Sequence, residues 1–308
     1  MGWIERQPAG NVNKNWATCA INNAGTRFIA SDGLWSIYLY NGNSWSERAI
    51  GGKGNITQVK MNGDGTKYIV AIINEGLFVF DGSNIIEYKP STLEDQAWYD
   101  CGISSDGTKY IAVIFSKRIW VYNGNSWNEY RPLGDNNKAW TCCAINADGT
   151  KFIAGCSYYG NGYGTNGIFF YDGISWTDIS PAANKEWYSC DISSDGTKCI
   201  FTDSKRIWTY DGIVQERRPT GIDENKQWLC VRISGDGAKY LACAYNGRIY
   251  SSCDGSIWIE QTPVGDVNKG WKGCDISYDG SKMIVGAYLG GLYTYPANPK
   301  FTPIVTMG

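Results

Sequence analysis

The residues best suited to chemistry in this sequence come in repeated sets. Asn-Lys-x-Trp occurs five times, and Trp98 stands at the same place in a sixth copy that lacks the Asn-Lys pair. An indole offers a flat apolar face, and amide and ammonium groups donate hydrogen bonds, so each set could bind a sugar ring and its hydroxyls. The sets are Asn13, Lys14 and Trp16; Asn137, Lys138 and Trp140; Asn184, Lys185 and Trp187; Asn225, Lys226 and Trp228; and Asn268, Lys269 and Trp271.

Two interpretations of this motif compete. In the first, the tryptophan fills the space between neighbouring repeat units, the asparagine forms a turn and the lysine is solvated. In the second, the five sets form equivalent sites that act together through multivalency. The two interpretations differ in whether the indoles are enclosed or exposed.

A second candidate site lies where one copy departs from the repeat. The insertion "GCSYYGNGYGTNGIFF" brings Tyr158, Tyr159 and Tyr163 together among glycines. Tyrosine gives a recognition loop a large contact area and a hydroxyl at a low cost in conformational entropy. The insertion is therefore a candidate binding loop, and a loop without a role is the equal alternative.

The sequence offers little for catalysis or for metal binding. It contains no histidine, which removes the commonest general base and metal ligand. Arg118 and Arg206 occupy the same place in two copies of "SKRIW", which indicates repeat ancestry, and the crossover strings "GDNNKA" and "GDVNKG" carry too few carboxylates for calcium. We predict no enzyme, no metal and no cofactor, and solvated loop charges explain the acids that could form a pair: Glu94, Asp95, Asp223 and Glu224.

Composition excludes several classes of partner. The 308 residues carry a net charge of −2, so no basic surface for nucleic acid is expected. No apolar run is long enough to span a membrane, and "MGWIERQPAG" lacks the pattern of a secretory signal. Eleven cysteines, an odd number, are predicted to be mostly buried thiols in a reducing compartment. We therefore predict a soluble, cytoplasmic protein without nucleic-acid partners or membrane insertion, with release by a non-standard route left open.

The elements that must position these residues also repeat. Seven copies are anchored at spacings of 38 to 49 residues, within the range of four-stranded propeller units. In each copy, Asp-Gly or Asn-Gly corners separate short apolar runs, as tight turns between antiparallel strands require. The anchors are Trp3, Trp45, Ile85, Trp127, Trp176, Val214 and Trp258.

The repeated words "W-x-x-C-x-I-S-x-D-G-T-K-Y-I-A" and "I-W-x-Y-[ND]-G-x-S-W" resemble the blade repeats of WD40-like, sialidase-like (Asp-box-like) and lectin β-propellers. The resemblance covers nearly the whole chain. It implies one all-β domain over residues 1–308, a seven-bladed β-propeller with four antiparallel strands per blade. The predicted blades cover about 15–50, 51–90, 91–132, 133–181, 182–219, 220–263 and 264–299, and residues 2–8 complete the last blade and close the ring.

In this topology the Asn-Lys-x-Trp crossovers and the tyrosine insertion meet on one face. The leading hypothesis is a non-enzymatic, multivalent, lectin-like protein that binds glycans through the crossovers. The alternative is a scaffold that binds a protein partner on the same face. A sialidase-like glycoside hydrolase is a minor alternative, and the sequence does not identify the ligand.

Overall fold

The computed structural model describes residues 2–10, 12–50, 54–88, 97–134, 138–157, 166–182, 185–217, 219 and 226–296. Within these ranges the chain forms 28 β-strands. No helix among the described residues has the length and apolar character needed to cross a membrane.

The strands follow one another in short antiparallel runs. Strands β1 to β5 are Ile4–Arg6, Thr18–Ile21, Phe28–Ser31, Ser36–Tyr40 and Trp45–Ala49. Strands β6 to β9 are Ile56–Met61, Tyr68–Ile72, Gly76–Phe80 and Ile85–Glu87. Strands β10 to β13 are Trp98–Ile103, Tyr110–Lys117, Ile119–Tyr122 and Trp127–Tyr130. Strands β14 to β17 are Lys138–Ile145, Phe152–Cys156, Gly167–Tyr171 and Trp176–Asp178.

The remaining strands repeat the same order. Strands β18 to β21 are Trp187–Ile192, Cys199–Asp203, Ile207–Tyr210 and Val214–Glu216. Strands β22 to β25 are Gln227–Ile233, Tyr240–Tyr245, Ile249–Ser252 and Trp258–Gln261. Strands β26 to β28 are Trp271–Ile276, Met283–Ala287 and Leu292–Tyr295. The second strand of a run is buried on both faces, as in Tyr68–Ile72, because another sheet packs on each side of it.

The sheets are the four-stranded antiparallel blades of a β-propeller. Five of them stand alone: β2–β5, β6–β9, β18–β21, β22–β25, and β26–β28 with β1. Strand β1 pairs with β28, from Ile4 opposite Thr294 to Arg6 opposite Leu292, so the predicted completion of the last blade by the N-terminal strand is confirmed. This pairing joins the two ends of the described chain.

The predicted count of seven separate blades differs from these sheets, because the structure has five four-stranded blades and one eight-stranded sheet. The eight-stranded sheet contains two antiparallel runs, β10–β13 and β14–β17. Strand β11 extends past its hairpin partner, and Phe115 and Lys117 pair with Ala139 and Lys138 at the start of β14. This short ladder joins the two runs into one sheet.

A ring of backbone hydrogen bonds closes one face of the molecule, which we call the base. The base is formed by the turns that follow the first strand of each run. Each turn donates an N–H group to a carbonyl of the next turn, with N···O distances of 2.9–3.1 Å. The donor residues are Asn23, Gly63, Ser105, Ala147, Ser194, Asp236 and Tyr278, and the last donates back to Asn23. The base is thus fixed by the main chain.

The D-G-T-K turns of the base also hold neighbouring runs together. In one turn the Asp148 carboxylate accepts the N–H of Thr150 at 2.9 Å, and the Lys109 ammonium of the preceding run donates to the Asp148 carbonyl at 2.8 Å. Gly149 has a φ of +67°, and a Cβ there would lie 2.6 Å from the Lys109 Cδ. The lysine needs this space, which agrees with the structural role that the sequence predicts for the turn.

Candidate functional site

The tryptophans of the crossover motif lie inside the protein. Their exposed fractions are between 0% and 3% at Trp16, Trp98, Trp140, Trp187, Trp228 and Trp271. An enclosed indole cannot offer its face to a sugar, so the stacking platform expected at these positions is not on the surface. The packing interpretation accounts for the six indoles.

Each indole is wedged between adjacent runs of strands. Trp16 packs edge to face on Tyr38 of its own blade, with ring centroids 5.2 Å apart. On its other side it meets the preceding blade at Gly286, where a Cβ would lie 2.7 Å from the Trp16 Cβ. Gly155 makes the same room for Trp187, since a Cβ there would be 3.1 Å from the Cβ of that tryptophan. The repeated tryptophan therefore belongs to the inter-blade core.

Two lysines of the motif form ion pairs with aspartates. Lys14 Nζ lies 2.8 Å from the Asp32 carboxylate and 5.0 Å from the centre of the Tyr38 ring. Burial alone would lower the pKa of Lys14, but the hydrogen bonds and charge interactions with Asp32 and Tyr38 together outweigh it and the pKa is raised. Lys185 pairs with Asp203 in the same way at 3.5 Å. These two ion pairs tie the crossovers that contain Lys14 and Lys185 to their own blades.

The backbone of the motif pairs with the preceding blade. The Lys14 carbonyl accepts the N–H of Gly290, and Lys269 exchanges hydrogen bonds with Gly247 in both directions at 3.1 Å. Lys138, which is buried, pairs with Lys117 of β11, and Lys226 is partly buried beside buried Trp228. Together these contacts explain the repetition of the motif as a structural need.

The rest of the predicted site divides into two groups. Asn13 and Asn268 are exposed to solvent. The other residues lie outside the described part of the chain: Asn137, Tyr158, Tyr159, Tyr163, Asn184 and Asn225.

The tryptophans that anchor the copies lie at the start of fourth strands, and at four positions they pack on the third strand. Trp3, Trp45, Trp127 and Trp176 lie 5.3–5.5 Å, centroid to centroid, from Tyr295, Tyr40, Tyr122 and Tyr171 respectively. The repeated arginines form cross-strand ion pairs, with Arg118 joined to Glu129 and Arg206 to Glu216. These arginines are distributed around the ring in equivalent positions, which agrees with repeat ancestry. The acids Glu94, Asp95, Asp223 and Glu224 lie outside the described residues.

An apolar surface that the sequence analysis missed lies at the face opposite the base. Here the first strands begin and the loops between second and third strands emerge. We call this surface the mouth, and its exposed large side chains are Leu34, Trp35, Tyr99, Tyr188, Tyr288 and Leu289. Trp35 is 56% exposed and Leu289 is 65% exposed. The mouth thus carries a set of partly exposed aromatic and aliphatic groups.

Strand alternation could have located two of these residues. Successive side chains of a strand point to opposite faces. Tyr99 follows buried Trp98, and Tyr188 follows buried Trp187, so each tyrosine points away from the core. A sequence pattern of Trp-Tyr at the start of a first strand therefore predicts an exposed tyrosine.

Two cavities open at the mouth. One, of about 180 Å³, lies on the axis beneath Tyr99, Tyr188 and Lys272. The other, of about 420 Å³, extends outward between Leu34, Tyr99 and Lys272. Lys272 also lies 5.6 Å from the centre of the Tyr288 ring. The shared residues make the mouth one continuous, concave surface.

Charged side chains lie on the axis between the mouth and the base. The Asp100 carboxylate accepts N–H groups from Cys101 and, in the next run, Cys143, at 2.8 and 2.9 Å. Asp275 accepts the N–H of Ile21 at 3.0 Å, and its carboxylate lies 3.7 Å from the Arg232 Nε. These acids therefore link the first strands of neighbouring runs.

Burial sets the ionisation of these axial groups. It raises the pKa of Asp100 and of Asp275. Burial and the nearby Arg232 guanidinium would lower the pKa of Lys60, but the surrounding carboxylates outweigh both and raise it. Among the described residues no group of three or more Cys, Asp or Glu side chains could hold a metal ion. The axial carboxylates of Asp100 and Asp275 thus hold the first strands of neighbouring runs together.

Comparisons with known proteins identify the fold. No family model and no curated protein matches the sequence. Among solved structures, the β-propeller domain of Cps50 (Swd1) from Myceliophteria thermophila is similar, with a TM-score of 0.71 and 12% sequence identity. The alignment covers 96% of this chain and 100% of that one. At this identity, and with 1791 solved chains matching, the likeness shows the β-propeller fold and selects no function.

Proposed function

We propose that this chain is a non-enzymatic interaction scaffold, a closed ring of seven blades whose mouth binds a protein partner. The ring has one polar face held by backbone hydrogen bonds and one concave face that exposes apolar side chains. Protein-binding surfaces are enriched in such aromatic groups.

The seven-blade count is supported by the base. Its ring of hydrogen bonds has one donor residue in each of seven successive turns, including those of β10–β13 and β14–β17. Only two residue pairs join these two runs, far fewer than the pairs within either run. We therefore count the eight-stranded sheet as two blades, which divides 28 strands into seven groups of four.

Leu289 is the observation that carries the proposed function. It is 65% exposed, and its φ is +47°, in the left-handed region that a leucine side chain disfavours by about 1–2 kcal/mol. The equivalent turn of the preceding blade has Asn246 at φ +51°, a residue that tolerates this conformation. Strain and exposure together have no benefit for folding, so we infer that Leu289 is retained for a contact with a partner.

The other mouth residues suit the same role. Trp35, Tyr99, Tyr188 and Tyr288 come from four different runs, and Tyr99 and Tyr188 line the axial cavity. Tryptophan and tyrosine are the commonest residues whose truncation weakens a protein interface by 2 kcal/mol or more. The lectin hypothesis relied on exposed crossover indoles, and their burial removes that support.

A reducing compartment suits the same protein. The structure has eleven free cysteines, of which all but Cys253 are buried. Burial raises the pKa of thiols such as Cys19 and Cys101 well above the ordinary value, which keeps them protonated and unreactive. We accordingly propose a cytoplasmic setting.

Site-specific photocrosslinking in cells tests the mouth. A photoreactive phenylalanine analogue at Tyr99 or at Tyr188 is expected to give a discrete protein adduct. The matched control is the same analogue at Ile213, an exposed residue on the base side. Trp35→Ala should reduce the mouth adduct about 30-fold, the effect of losing about 2 kcal/mol of binding free energy.

The outcomes separate the candidate functions. The same adducts at Ile213 and at the mouth would contradict the proposal, as would a mouth adduct that Trp35→Ala leaves unchanged. Glycan-array binding that Trp35→Ala abolishes would assign the mouth to sugars instead. Hydrolysis of a chromogenic glycoside above background would restore the enzyme alternative.

A further inference from the structure

A second repeated packing arrangement lies in the outer grooves between blades, away from the mouth. In four of these grooves a stacked aromatic pair from the second and third strands receives a side chain from the end of the fourth strand of the preceding blade. Tyr88 packs on Tyr110 and Tyr122, with both centroids 5.4 Å away. In the next groove Tyr130 packs on Phe152 and Tyr171, at 6.2 and 5.4 Å. A tyrosine from the chain itself thus fills each of these two grooves.

Arginine replaces the tyrosine in two other grooves. Arg48 lies at the Tyr130 position, with its guanidinium 4.9 Å from the centre of the Phe80 ring and its Nη1 donating to the Tyr68 hydroxyl at 3.4 Å. Phe80 and Tyr68 stack on each other with centroids 4.6 Å apart. Arg6 lies 5.9 Å from the Tyr40 ring in the same way. The stacked aromatic pair is present in all four of these grooves, whereas the side chain that covers it is tyrosine in two and arginine in two.

The arginine grooves are open. A cleft of about 450 Å³ lies between β2–β5 and β6–β9, lined by Arg48, Tyr68, Leu39 and Met61. The Arg6 groove holds a smaller cleft of about 310 Å³. The larger volume is within the range of small-ligand pockets, about 300–1,000 Å³. In the larger cleft the Arg48 guanidinium covers the aromatic pair and Phe80 is fully buried, so the open space lies on the outer side of Arg48.

The open cleft is positively charged. Arg48 and Arg27 both line it, and Arg27 Nη1 donates to the Gly65 carbonyl at 3.2 Å, which fixes its position. The one acid of the lining, Glu47, accepts the Tyr38 hydroxyl at 3.0 Å. Two guanidinium groups beside a single carboxylate favour an anionic ligand, because guanidinium binds carboxylate in a charge-assisted, two-pronged geometry.

We propose that this cleft binds an aromatic residue that ends in a carboxylate, as at the C-terminus of a peptide. The ring packs on the outer face of the Arg48 guanidinium, which itself covers the Tyr68–Phe80 pair. The carboxylate lies against Arg27 and Arg48. The cleft is on the flank of the ring, so this site is independent of the mouth.

Calorimetric titration of the full chain with three small probes tests both parts of the proposal. N-acetyl-L-tyrosine carries the ring and the carboxylate, and we expect a Kd on the order of 1 mM. N-acetyl-L-tyrosinamide keeps the ring without the charge, and N-acetyl-L-leucine keeps the charge without the ring. Each of these two should bind at least about 10-fold more weakly, which is a difference of about 1.4 kcal/mol.

Arg48→Tyr is the decisive variant. It gives this groove the residue that fills the sister grooves, so it should abolish binding of N-acetyl-L-tyrosine while the thermal midpoint is unchanged or higher. Arg48→Gln keeps the cleft open and leaves Arg27, so it should reduce the preference for tyrosine over tyrosinamide but keep the preference for tyrosine over leucine. Arg6→Tyr is the matched control. It closes the neighbouring cleft and should leave the affinity unchanged.

Four results would overturn the proposal. The first is no heat of binding for N-acetyl-L-tyrosine at about 10 mM, ten times the expected Kd. The second is equal affinity for all three probes. The third is wild-type affinity in a folded Arg48→Tyr variant. Loss of binding in Arg6→Tyr alone would move the site to the other groove and would also overturn it.

Discussion

The mouth and the base are opposite ends of one ring, and they are built on opposite principles. At the base the same turn recurs, and each turn donates a backbone N–H to the next within 2.9–3.1 Å. At the mouth the loops differ from blade to blade and expose Trp35, Tyr99, Tyr288 and Leu289. The base satisfies its own polar groups, whereas the mouth leaves apolar surface uncovered.

This contrast shows that residues that recur in the copies and residues that differ from the repeat have different explanations. A residue that recurs in every copy meets a need that every copy has, such as the space between blades that Trp16 and Trp187 fill. A residue found once cannot meet a shared need. Leu289, where the preceding blade has Asn246, is a departure of this kind. Arg48 and Arg6, where two other blades have tyrosine, depart from the repeat in part of the ring.

The largest expected difference comes from making the same substitution at two tryptophans, one in the core and one at the mouth. Trp140→Ala removes an indole that is 2% exposed and should lower the free energy of unfolding by about 3–5 kcal/mol. Trp35→Ala removes an indole at the mouth and should change it by no more than about 0.5 kcal/mol. Urea denaturation followed by circular dichroism measures both. Similar losses at the two positions would refute the assignment of Trp140 to the core and Trp35 to a binding surface.

Sequence alone was sufficient for the class of fold and the closure of the ring, because both rest on patterns that repeat. Alternating turns and apolar runs predict the strands, and the match of "GWIERQP" to the other fourth strands predicts the pairing of β1 with β28. The same repetition misled the site prediction. Trp140 and Trp228 looked like candidate ligand contacts, but residues repeated for packing and residues repeated for multivalent binding give the same pattern.

The mouth could be predicted only in part. Strand alternation would have placed Tyr99 and Tyr188 on the surface. The positive φ of Leu289 occurs beside the hydrogen bond from Gly290 to Lys14 of the neighbouring blade, a contact between residues far apart in the sequence. The cleft beside Arg48 depends on the packing of two blades, and no single stretch of sequence contains both walls.

Low pH should have an intermediate effect on stability, through the aspartates in the turns of the base. The N–H of Ser281 donates to the Asp279 carboxylate at 2.9 Å and lowers the pKa of that group to about 2. Hydrogen bonds in the equivalent turns also lower the pKa of Asp64 and Asp148. The folded pKa lies below the ordinary value of 3.8, so the unfolded chain takes up more protons in acid. The stability from Asp279 is therefore present above about pH 4 and is lost as the pH falls toward 2.

Urea midpoints measured between pH 5 and about pH 2 for the wild type and for Asp279→Asn check this expectation. The wild type should lose stability more steeply than the variant, and equal slopes would count against the base turn. Burial raises the pKa of axial Asp100 and Asp275, so their contribution has the opposite sign. Because those two groups are the same in both proteins, the difference in slope isolates Asp279.

The smallest effect is at the residue on which the proposed function depends most. Leu289→Asn replaces a strained, exposed leucine by the residue that Asn246 provides in the preceding blade, and it should stabilise the fold by about 0.5–1 kcal/mol. Asn246→Leu is the reciprocal change and should destabilise it by a similar amount, because the N–H groups of Gly290 and Gly247 bind equivalent lysine carbonyls. Differential scanning calorimetry measures the shift, and the photocrosslink at Tyr99 measures binding. A more stable Leu289→Asn variant that loses the crosslink would show that the strain is kept for the partner. A variant that gains stability and keeps the crosslink would remove Leu289 from the interface.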